Sequence, residues 1–477
     1  MIDFTNIEKY KENNRIEAKK AVGGLPRSIW ETYSAFANTL GGIILLGVEE
    51  GKDKSLHPVN LPDPEMLVND FWDIINNSNK VSVNILSDKD VTVEDIDGVQ
   101  IVAIRVPRAQ RSDKPVYIDG NPLSGSYRRN GEGDYKCTRE EVQAMMRDAE
   151  IKTQDMVVLE GMGLDVFDYD SVKRYRIRMK NYRPGHVWEE LENIEFLYKL
   201  GAIGRSSDGK MHPTAAGLLM FGYEHEILKE YPEYFLDYQE QFDPNTHWTD
   251  RIVSSAGDWS GNIYDFYFRV YNKITQDIKV PFKLEGGDRI DDTPVHKALR
   301  EALANCLINA DYYGKQGLII IKKKDIITLS NPGGFRIDVA AAKSGGISDP
   351  RNSALIKMFN LIGVGERSGS GIPNIFSIWK KQGWSAPVIS ESFDPDRITL
   401  SLAIGKSGDK KAATKTLAHK QAIVSYLTEK VSAKSVEIAE LLGLKPTRAK
   451  EILAEMVNDE ILVTEGGNKN RVYKLKA

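Results

Sequence analysis

The run Arg300-Glu-Ala-Leu-Ala-Asn-Cys-Leu-Ile-Asn-Ala-Asp311 decides how the central part of the chain is interpreted. On a helix, Glu301, Asn305 and Asn309 follow one another at four-residue steps and share one polar stripe, while the leucines between them can face a core. An amide oxygen is a suitable Mg²⁺ ligand, and a carboxylate one turn away can orient and deprotonate an attacking water. The pattern therefore predicts a nucleotide site in which Asn305 binds Mg²⁺, Asn309 contacts the ligand and Glu301 is the general base. The alternative is an ordinary amphipathic surface helix.

Two glycine-rich stretches follow this run and favour the nucleotide interpretation. Leu329-Ser-Asn-Pro-Gly-Gly-Phe335 ends a predicted strand with a turn that can accept a planar base. Gly363-Val-Gly-Glu-Arg-Ser-Gly-Ser-Gly371 precedes an apolar helix, so its backbone amides can approach phosphate oxygens. The residues expected at the ligand in these stretches are Asn331, Gly333, Gly334, Gly369 and Gly371.

These elements together resemble the ATPase superfamily of gyrase, MutL and histidine kinases (GHKL), in the divergent branch found in bacterial regulators. The resemblance covers about residues 291–404. It implies an α/β-sandwich domain that binds ATP with Mg²⁺ and, because such relatives often act as dimers, a homodimer. The usual first glycine box begins with an aspartate that contacts the adenine amino group, whereas this chain has Asn331-Pro332. Adenine selectivity and ATP hydrolysis therefore both stay open.

A second motif lies near the start of the chain. Glu12-Asn-Asn-Arg-Ile-Glu-Ala-Lys19 precedes Tyr33-Ser-Ala-Phe-Ala-Asn-Thr-Leu-Gly-Gly-Ile-Ile-Leu-Leu-Gly-Val-Glu-Glu50, which predicts a helix, a glycine turn and a buried strand. Both stretches resemble the AlbA-like domain of Schlafen proteins, and we assign this domain to residues 1–150. The nuclease-active Schlafen relatives imply a Mg²⁺ or Mn²⁺ cutting site here, formed by Glu12 and Glu17 together with Glu49 or Glu50. Alternatively, Glu17 pairs with the neighbouring lysines on the surface.

Two adjacent arginines occur later in the same domain. Ser126-Tyr-Arg-Arg-Asn-Gly131 follows predicted strands and places Arg128 and Arg129 where a nucleic-acid phosphate could be bound. An ordinary solvated strand edge is the alternative interpretation.

The C-terminal segment is the basic part of a chain whose net charge is −4. Residues 405–477 contain 14 basic and 9 acidic residues. We expect a polar linker over 405–417, followed over 418–477 by three helices and a hairpin, the order of a winged helix-turn-helix. Such modules bind DNA or other proteins. Residues suited to DNA contact are found on the third helix and the hairpin: Lys445, Thr447, Arg448, Lys450, Lys469 and Arg471.

Composition excludes several classes of protein. The 477 residues, 41% apolar and 28% charged, predict several globular domains, with residues 151–290 as a connecting α+β region. Two cysteines, Cys137 and Cys306, cannot form a disulfide framework and fit a reducing cytoplasm. Apolar runs are strand-sized, so no membrane span is expected. The first residues, Met1-Ile-Asp-Phe-Thr-Asn, lack the basic segment and apolar core of a secretory signal.

The predicted fold class is therefore α/β (α+β) and multidomain. The leading functional hypothesis is a cytoplasmic transcriptional regulator that binds ATP and nucleic acid, DNA in preference to RNA, with the central site controlling nucleic-acid engagement. One alternative is a Schlafen-like metal-dependent endonuclease that cuts RNA or single-stranded DNA in antiphage or stress defence. Another is a nucleotide-dependent protein scaffold.

Overall fold

A computed structural model of the chain divides it into two compact units, each made of two segments: Met1–Ile378 with Pro387–Leu402, and Trp379–Ala386 with Ala403–Ala477. The structure describes residues 4–243, 246–276, 278, 283–285, 288–290, 293–365, 369–393, 395–405, 419, 420, 422–424, 426, 427, 430, 432–458, 461–466 and 471–475.

The N-terminal domain of the first unit is built on a four-stranded sheet. The side chains of its second strand point alternately to the two faces of the sheet. Ile44 and Leu46 pack with the helices on one face, while Ile43 and Leu45 belong to a smaller hydrophobic cluster on the other. The strand order is Ile16–Lys19, Gly42–Leu46, Val99–Val106 and Val91–Ile96, and only the first pair is parallel. The helices against the larger cluster are Ile29–Asn38 and Pro64–Ile75.

Shorter elements complete this domain. They are strands Val48–Glu50, Leu56–Pro58, Tyr127–Asn130 and Gly133–Lys136, helices Pro122–Gly125 and Arg139–Ala149, and 3-10 turns Phe4–Lys9, Asp88–Asp90 and Arg111–Asp113. The alternation in 81–86 predicts a further strand, but the structure has only an isolated bridge at Val81. The reason is local: the hydroxyl of Tyr33 accepts the amide hydrogen of Ile85 and donates to the carbonyl of Val83, in place of a partner strand.

The middle of the chain is mainly helical and has an aromatic core. Tyr175 packs edge-on against Phe196 and Phe221, with ring centroids 6.1 and 5.3 Å apart. The helices are Tyr169–Tyr182, Asn193–Leu200, Ala215–Phe221, Glu224–Glu230 and Ile263–Thr275, with 3-10 turns Gln154–Met156, Leu164–Val166 and Ser254–Ala256 and a two-stranded ribbon of Ile203–Arg205 and Met211–Pro213.

A six-stranded sheet carries the central region. Its order is Asp250–Val253, Leu236–Gln241, Leu318–Lys323, Ile326–Pro332, Asp396–Ala403 and Val388–Phe393. The first two strands come from the segment that the sequence predicts as a connecting region, and Leu236–Gln241 pairs in parallel with Leu318–Lys323. The sheet therefore extends across the domain boundary predicted at residue 290.

The helix Pro294–Ile308, here called the asparagine helix, packs on this sheet. Its apolar stripe, including Leu299, Leu303 and Leu307, is fully buried. Pro294 occupies the first helical position, where its missing amide hydrogen has no intrahelical partner to lose. The other elements of the region are helices Val339–Ser344, Ser353–Leu361 and Gly371–Lys381 and the hairpin of Lys283–Glu285 and Asp288–Ile290.

The second unit contains the C-terminal module. Its described positions between 419 and 430 are helical, and the helices Ser435–Leu442 and Pro446–Asn458 precede a hairpin of Leu462–Glu465 and Val472–Leu475. Gly443 ends one helix with a left-handed φ of +60°. The order of elements agrees with the prediction. Positions 406–417 of the predicted linker, and Lys469, lie outside the described residues.

The elements therefore form a mixed α/β protein of several domains, the fold class that the sequence predicts. None of the helices in the described part of the chain combines the length and the apolar character needed to cross a membrane.

Candidate functional site

A cavity, here called the central cavity, opens between the asparagine helix and the six-stranded sheet. The helix gives it a polar wall, and the sheet gives it an apolar wall with Leu329, Ile389, Ile398 and Leu400. The two predicted glycine stretches contribute to the same lining. Seven of the eight residues predicted at the nucleotide line it together: Glu301, Asn305, Asn309, Asn331, Gly334, Gly369 and Gly371. Gly333 is not in this lining and instead borders a neighbouring cavity.

Glu301 and Asn305 of the asparagine helix lie next to Gly371 of the second glycine stretch. Asn305 donates from Nδ2 to Glu301 Oε1 at 3.1 Å, which leaves the amide oxygen of Asn305 available for a cation. A Cβ at Gly371 would lie 2.1 Å from the same Glu301 oxygen, so any side chain at this position would displace the Glu301 carboxylate. Gly369 has a left-handed φ of +68°. The arrangement brings a carboxylate, an amide oxygen and bare backbone together.

Asn331 lies at the end of the strand Ile326–Pro332, in the wall of the central cavity. It is 4% exposed, and its Nδ2 donates to the carbonyls of Pro332 at 3.2 Å and Asn309 at 3.4 Å. The amide oxygen is then the group left for a ligand. Cys306 also lines the cavity, and burial raises the pKa of its thiol, so it stays protonated.

A buried arginine that the sequence analysis did not identify holds two of the predicted residues. Arg351 donates from Nε to the carbonyl of Asn309 at 3.2 Å and from a terminal nitrogen to the carbonyl of Gly334 at 2.9 Å. It also forms an ion pair with Asp148, which is 203 positions away in the chain. No local sequence pattern indicates such a pair.

A second ion pair connects the N-terminal domain to the cavity wall. Both oxygens of Glu391 accept from Arg108, at 2.6 and 2.9 Å, and one of them also accepts from the backbone amide of Phe335 at 2.7 Å. Arg108 in turn donates to the carbonyl of Phe335 at 2.6 Å. Because Phe335 lines the central cavity, this wall is held by a residue of the N-terminal domain.

These pairs border a second, polar cavity, here called the interdomain cavity, which shares Gly334, Phe335, Arg336 and Arg351 with the central one. Lys114 lies in its lining and donates to the carbonyl of Asn38 at 2.6 Å.

Two groups of the interdomain cavity have shifted pKa values. Burial, reinforced by the nearby Arg108, lowers the pKa of Lys114 to about 7. Burial also raises the pKa of Asp396 to about 6, against the attraction of Arg128.

The acids predicted for a nuclease site are engaged within the N-terminal domain. Glu12 accepts from the amide of Ala18 at 2.9 Å, and burial, together with the charges of Glu17 and Glu50, raises its pKa. Among the described residues, no three histidine, cysteine or acidic side chains form a group that could hold a metal ion.

Two of these acids are paired with basic residues. Glu17 pairs with Lys19 at 2.9 Å, but their side chains are only 13% and 12% exposed, so this is not the surface pair of the alternative interpretation. Glu49 pairs with Lys20 at 2.8 Å, and both side chains are exposed. The structure therefore adds no support to the cutting site.

The two arginines predicted at a phosphate are turned inward. The side chain of Arg129 is 1% exposed and pairs with Glu17 at 2.8 Å and Asp134 at 2.9 Å. Arg128 is 12% exposed and pairs with Glu141 and Asp396. Phosphate binding by either residue would have to replace these ion pairs.

The basic residues of the C-terminal module are exposed. The helix Pro446–Asn458 turns Ala449, Ile452 and Leu453 into the core of its unit. The predicted DNA-contact residues among those described face solvent: Lys445, Thr447, Arg448, Lys450 and Arg471.

Three parts of the chain match known domain families. Residues 12–138 match the family "Schlafen, AlbA_2", residues 143–237 match a domain of unknown function, and residues 318–400 match the family "Putative ATP-dependent DNA helicase recG C-terminal". The chain therefore carries a Schlafen AlbA_2 domain followed by a RecG-type C-terminal domain. The first assignment confirms the resemblance inferred from the N-terminal motifs.

Two solved structures are similar to the chain. The crystal structure of the DIP2311 protein from Corynebacterium diphtheriae is 16% identical, covers 97% of this chain and 92% of its own, and has a TM-score of 0.41. The solution structure of the N-terminal domain of a RecG-related protein from Nitrosomonas europaea is 31% identical, covers 29% of this chain and 95% of its own, and has a TM-score of 0.23. Comparison with curated protein sequences gives no significant match.

Proposed function

We propose that this protein is a cytoplasmic regulator that binds ATP with Mg²⁺ in the central cavity and engages nucleic acid, DNA in preference to RNA. The observation that carries the nucleotide part is the meeting of Glu301, Asn305 and Gly371 in one cavity. The family matches, to domains named for Schlafen proteins and for a DNA helicase, support the nucleic-acid part. Assembly as a homodimer belongs to the same proposal.

The donor chemistry of the cavity fits a magnesium nucleotide of the GHKL type. Mg²⁺ takes one or two protein oxygens and completes its shell with phosphate oxygens and water, and the amide oxygen of Asn305 is such a ligand. Glu301 is the group that would orient and deprotonate an attacking water. The backbone around Gly369 and Gly371 would donate amide hydrogens to phosphate. The apolar strands opposite would cover the base.

The cavity walls give a physical basis for regulation. Phe335 and Gly334 line the central cavity and are held by Arg108 and Arg351, whose partners are Glu391 and Asp148. A ligand that moves this wall changes the contacts that dock the N-terminal domain. Such differential contact is what coupling between two sites requires.

Replacement of Asn305 by alanine tests the nucleotide site. We expect the affinity for Mg-ATP to fall about tenfold to a hundredfold, because an oxygen ligand of the metal is lost. The affinity for ATP in EDTA should change much less. Isothermal titration calorimetry measures both values.

The matched control is Asn272→Ala, an exposed asparagine on the neighbouring helix Ile263–Thr275. Wild-type protein that binds no ATP, or an Asn305→Ala variant with unchanged Mg-ATP affinity, would contradict the proposal.

The double substitution Lys445→Ala with Lys450→Ala tests DNA binding by the C-terminal unit, which we propose acts as a winged helix. Both lysines are exposed. We expect weaker DNA binding and a log–log salt slope smaller by about 2, because each phosphate contact contributes roughly one unit. Fluorescence anisotropy with labelled duplex DNA, single-stranded DNA and RNA at several salt concentrations measures both effects.

The control is Lys180→Ala, an exposed lysine of the first unit paired with Glu189. An unchanged salt slope in the double variant would show that these lysines do not contact phosphate, and a preference for RNA would contradict the DNA assignment.

A further inference from the structure

Arg336 is a buried cation in the wall of the central cavity that the proposed chemistry does not yet use. Its side chain is 5% exposed. One terminal nitrogen donates to the carbonyl of Pro350 at 2.9 Å and the other to the carbonyl of Asp148 at 3.1 Å. Its Nε is buried and has no hydrogen-bond partner among the residues that the structure describes. Buried donors without an acceptor are rare in native proteins and call for an explanation.

The charged groups around Arg336 are not evenly paired. Three guanidinium groups, those of Arg111, Arg336 and Arg351, share the two carboxylates nearest to Arg336, those of Asp148 and Asp349, while Asp311 and Asp396 act on Arg351. Arg351 forms an ion pair with Asp148, and Arg111 forms an ion pair with Asp349 at 2.5 Å.

Arg336 is the guanidinium left without a close carboxylate. Its Nε lies 3.7 Å from Asp349, beyond hydrogen-bond distance. Arg336 is therefore the least closely paired of the three guanidinium groups.

The positive charge of Arg336 is costly in this position. Burial lowers the pKa of Arg336, the carboxylates of Asp148 and Asp349 oppose this shift, and the charges of Arg351 and Arg111 add to it. A buried cation becomes favourable when an anion is supplied to it, and arginine is well suited to phosphate because its donors match phosphate oxygens. The remaining walls of the central cavity include a broad apolar surface that supplies no such anion.

We infer that Arg336 binds a phosphate oxygen of the nucleotide in the central cavity through its unpaired Nε. The inference rests on the proposed function and deepens it. It gives the cavity a phosphate contact that needs no metal ion, separate from the Glu301 and Asn305 pair. Ligands with a phosphate group should therefore bind even when Mg²⁺ is removed, and ligands without one should not depend on Arg336.

The experiment compares wild type with Arg336→Gln by calorimetry in EDTA, using ATP, ADP, adenosine and pyrophosphate. We expect ATP and ADP affinities to fall about tenfold or more, the size typical of a lost charge-assisted hydrogen bond, while adenosine affinity stays within about twofold. Arg336→Lys keeps the charge and the aliphatic stem but lacks Nε, so we expect a smaller loss for ADP. If the glutamine variant does not fold, the ADP and adenosine affinities of the lysine variant test the inference in its place.

Arg397→Gln is the control, because Arg397 also donates to partly buried carbonyls, those of Ser330 and Gly317, but does not line the cavity. Equal losses for ADP and adenosine in Arg336→Gln would show a structural role and overturn the inference, as would unchanged ADP affinity. Wild type that binds none of ATP, ADP and pyrophosphate in EDTA would also overturn the inference, whereas wild type that binds no ATP in the presence of Mg²⁺ would reject the proposed function. In that event, pyrophosphate binding that is lost in Arg336→Gln would still support the anion site, and its absence would reject that too.

Discussion

Replacement of Glu391 by alanine is expected to lower the free energy of unfolding by about 3–5 kcal/mol, the range for removing one partner of a buried ion pair. The Glu391 side chain is 4% exposed, and that of Arg108 is 14% exposed. The substitution leaves the guanidinium of Arg108 and the amide of Phe335 without their acceptor. The cost comes from these unpaired groups more than from the attraction that is lost.

Urea unfolding of the full chain measures this effect. The double variant Arg108→Met with Glu391→Leu should recover most of the loss, because it removes both charges and leaves an apolar contact. The control is Glu94→Ala, whose pair with Arg105 at 3.2 Å is more exposed and should contribute about 1 kcal/mol or less. A Glu391→Ala variant that unfolds at the wild-type urea midpoint would show that the pair does not hold the two domains.

The helix of the central site was predictable because its signal is local. Glu301, Asn305 and Asn309 lie within nine consecutive positions, and helical spacing alone places them on one stripe. The glycine stretches also carry their own signal, since a backbone that closely approaches a neighbour excludes a Cβ, as at Gly369, where a Cβ would lie 2.6 Å from the carbonyl oxygen of Ile347. The structure brings these elements to one cavity, while their role in binding nucleotide stays a prediction.

The arginines around the cavity could not be predicted in the same way. Arg108 and Glu391 are 283 positions apart, and Arg351 and Asp148 are 203 apart. Charged residues at such separations normally lie on the surface, and no periodicity indicates which of them will meet. Arg129 shows the same limit, because its burial depends on acids from two other segments, Glu17 and Asp134.

The full extent of the six-stranded sheet also could not be predicted from local sequence patterns. The strands Asp250–Val253 and Leu236–Gln241 precede the predicted ATPase region, and the parallel pairing of the second with Leu318–Lys323 joins segments separated by a long stretch that includes two helices. Parallel pairing needs such a crossover, so no turn sequence marks it. The sheet that forms one wall of the central cavity therefore extends beyond the segment that contains the nucleotide-site motifs.

Lys114→Met is expected to remove a rise in stability that the wild type shows as the pH increases from about 7 to 10. The ordinary lysine pKa is 10.5, and burial lowers the pKa of Lys114 to about 7. Between these values the unfolded chain holds a proton that the folded chain has lost, so unfolding becomes less favourable as the pH increases. Below pH 7 both states are protonated, and the folded protein carries the full cost of a buried ammonium group.

Asp396 gives a pH dependence of opposite sign in a different range. Its pKa is raised by burial from 3.8 to about 6, so between these values the folded chain holds a proton that the unfolded chain has lost, and stability decreases as the pH increases. Asp396→Asn should flatten this lower range and, because the Asp396 carboxylate raises the pKa of Lys114, should also move the start of the Lys114 range to lower pH. The two variants therefore separate two neighbouring groups of one cavity, which a single pH curve of the wild type would not do.

Urea midpoints measured from pH 4.5 to 10 for the wild type and each variant give the differences directly. Lys80→Met is the control, because Lys80 is a third exposed and pairs with Asp119 at 2.7 Å, so its substitution should shift all midpoints by a similar small amount. A Lys114→Met variant that keeps the wild-type rise above pH 7 would mean that Lys114 is hydrated and charged in the folded protein. The interdomain cavity would then be open to water, and the ion pairs beside it would contribute much less than a buried pair does.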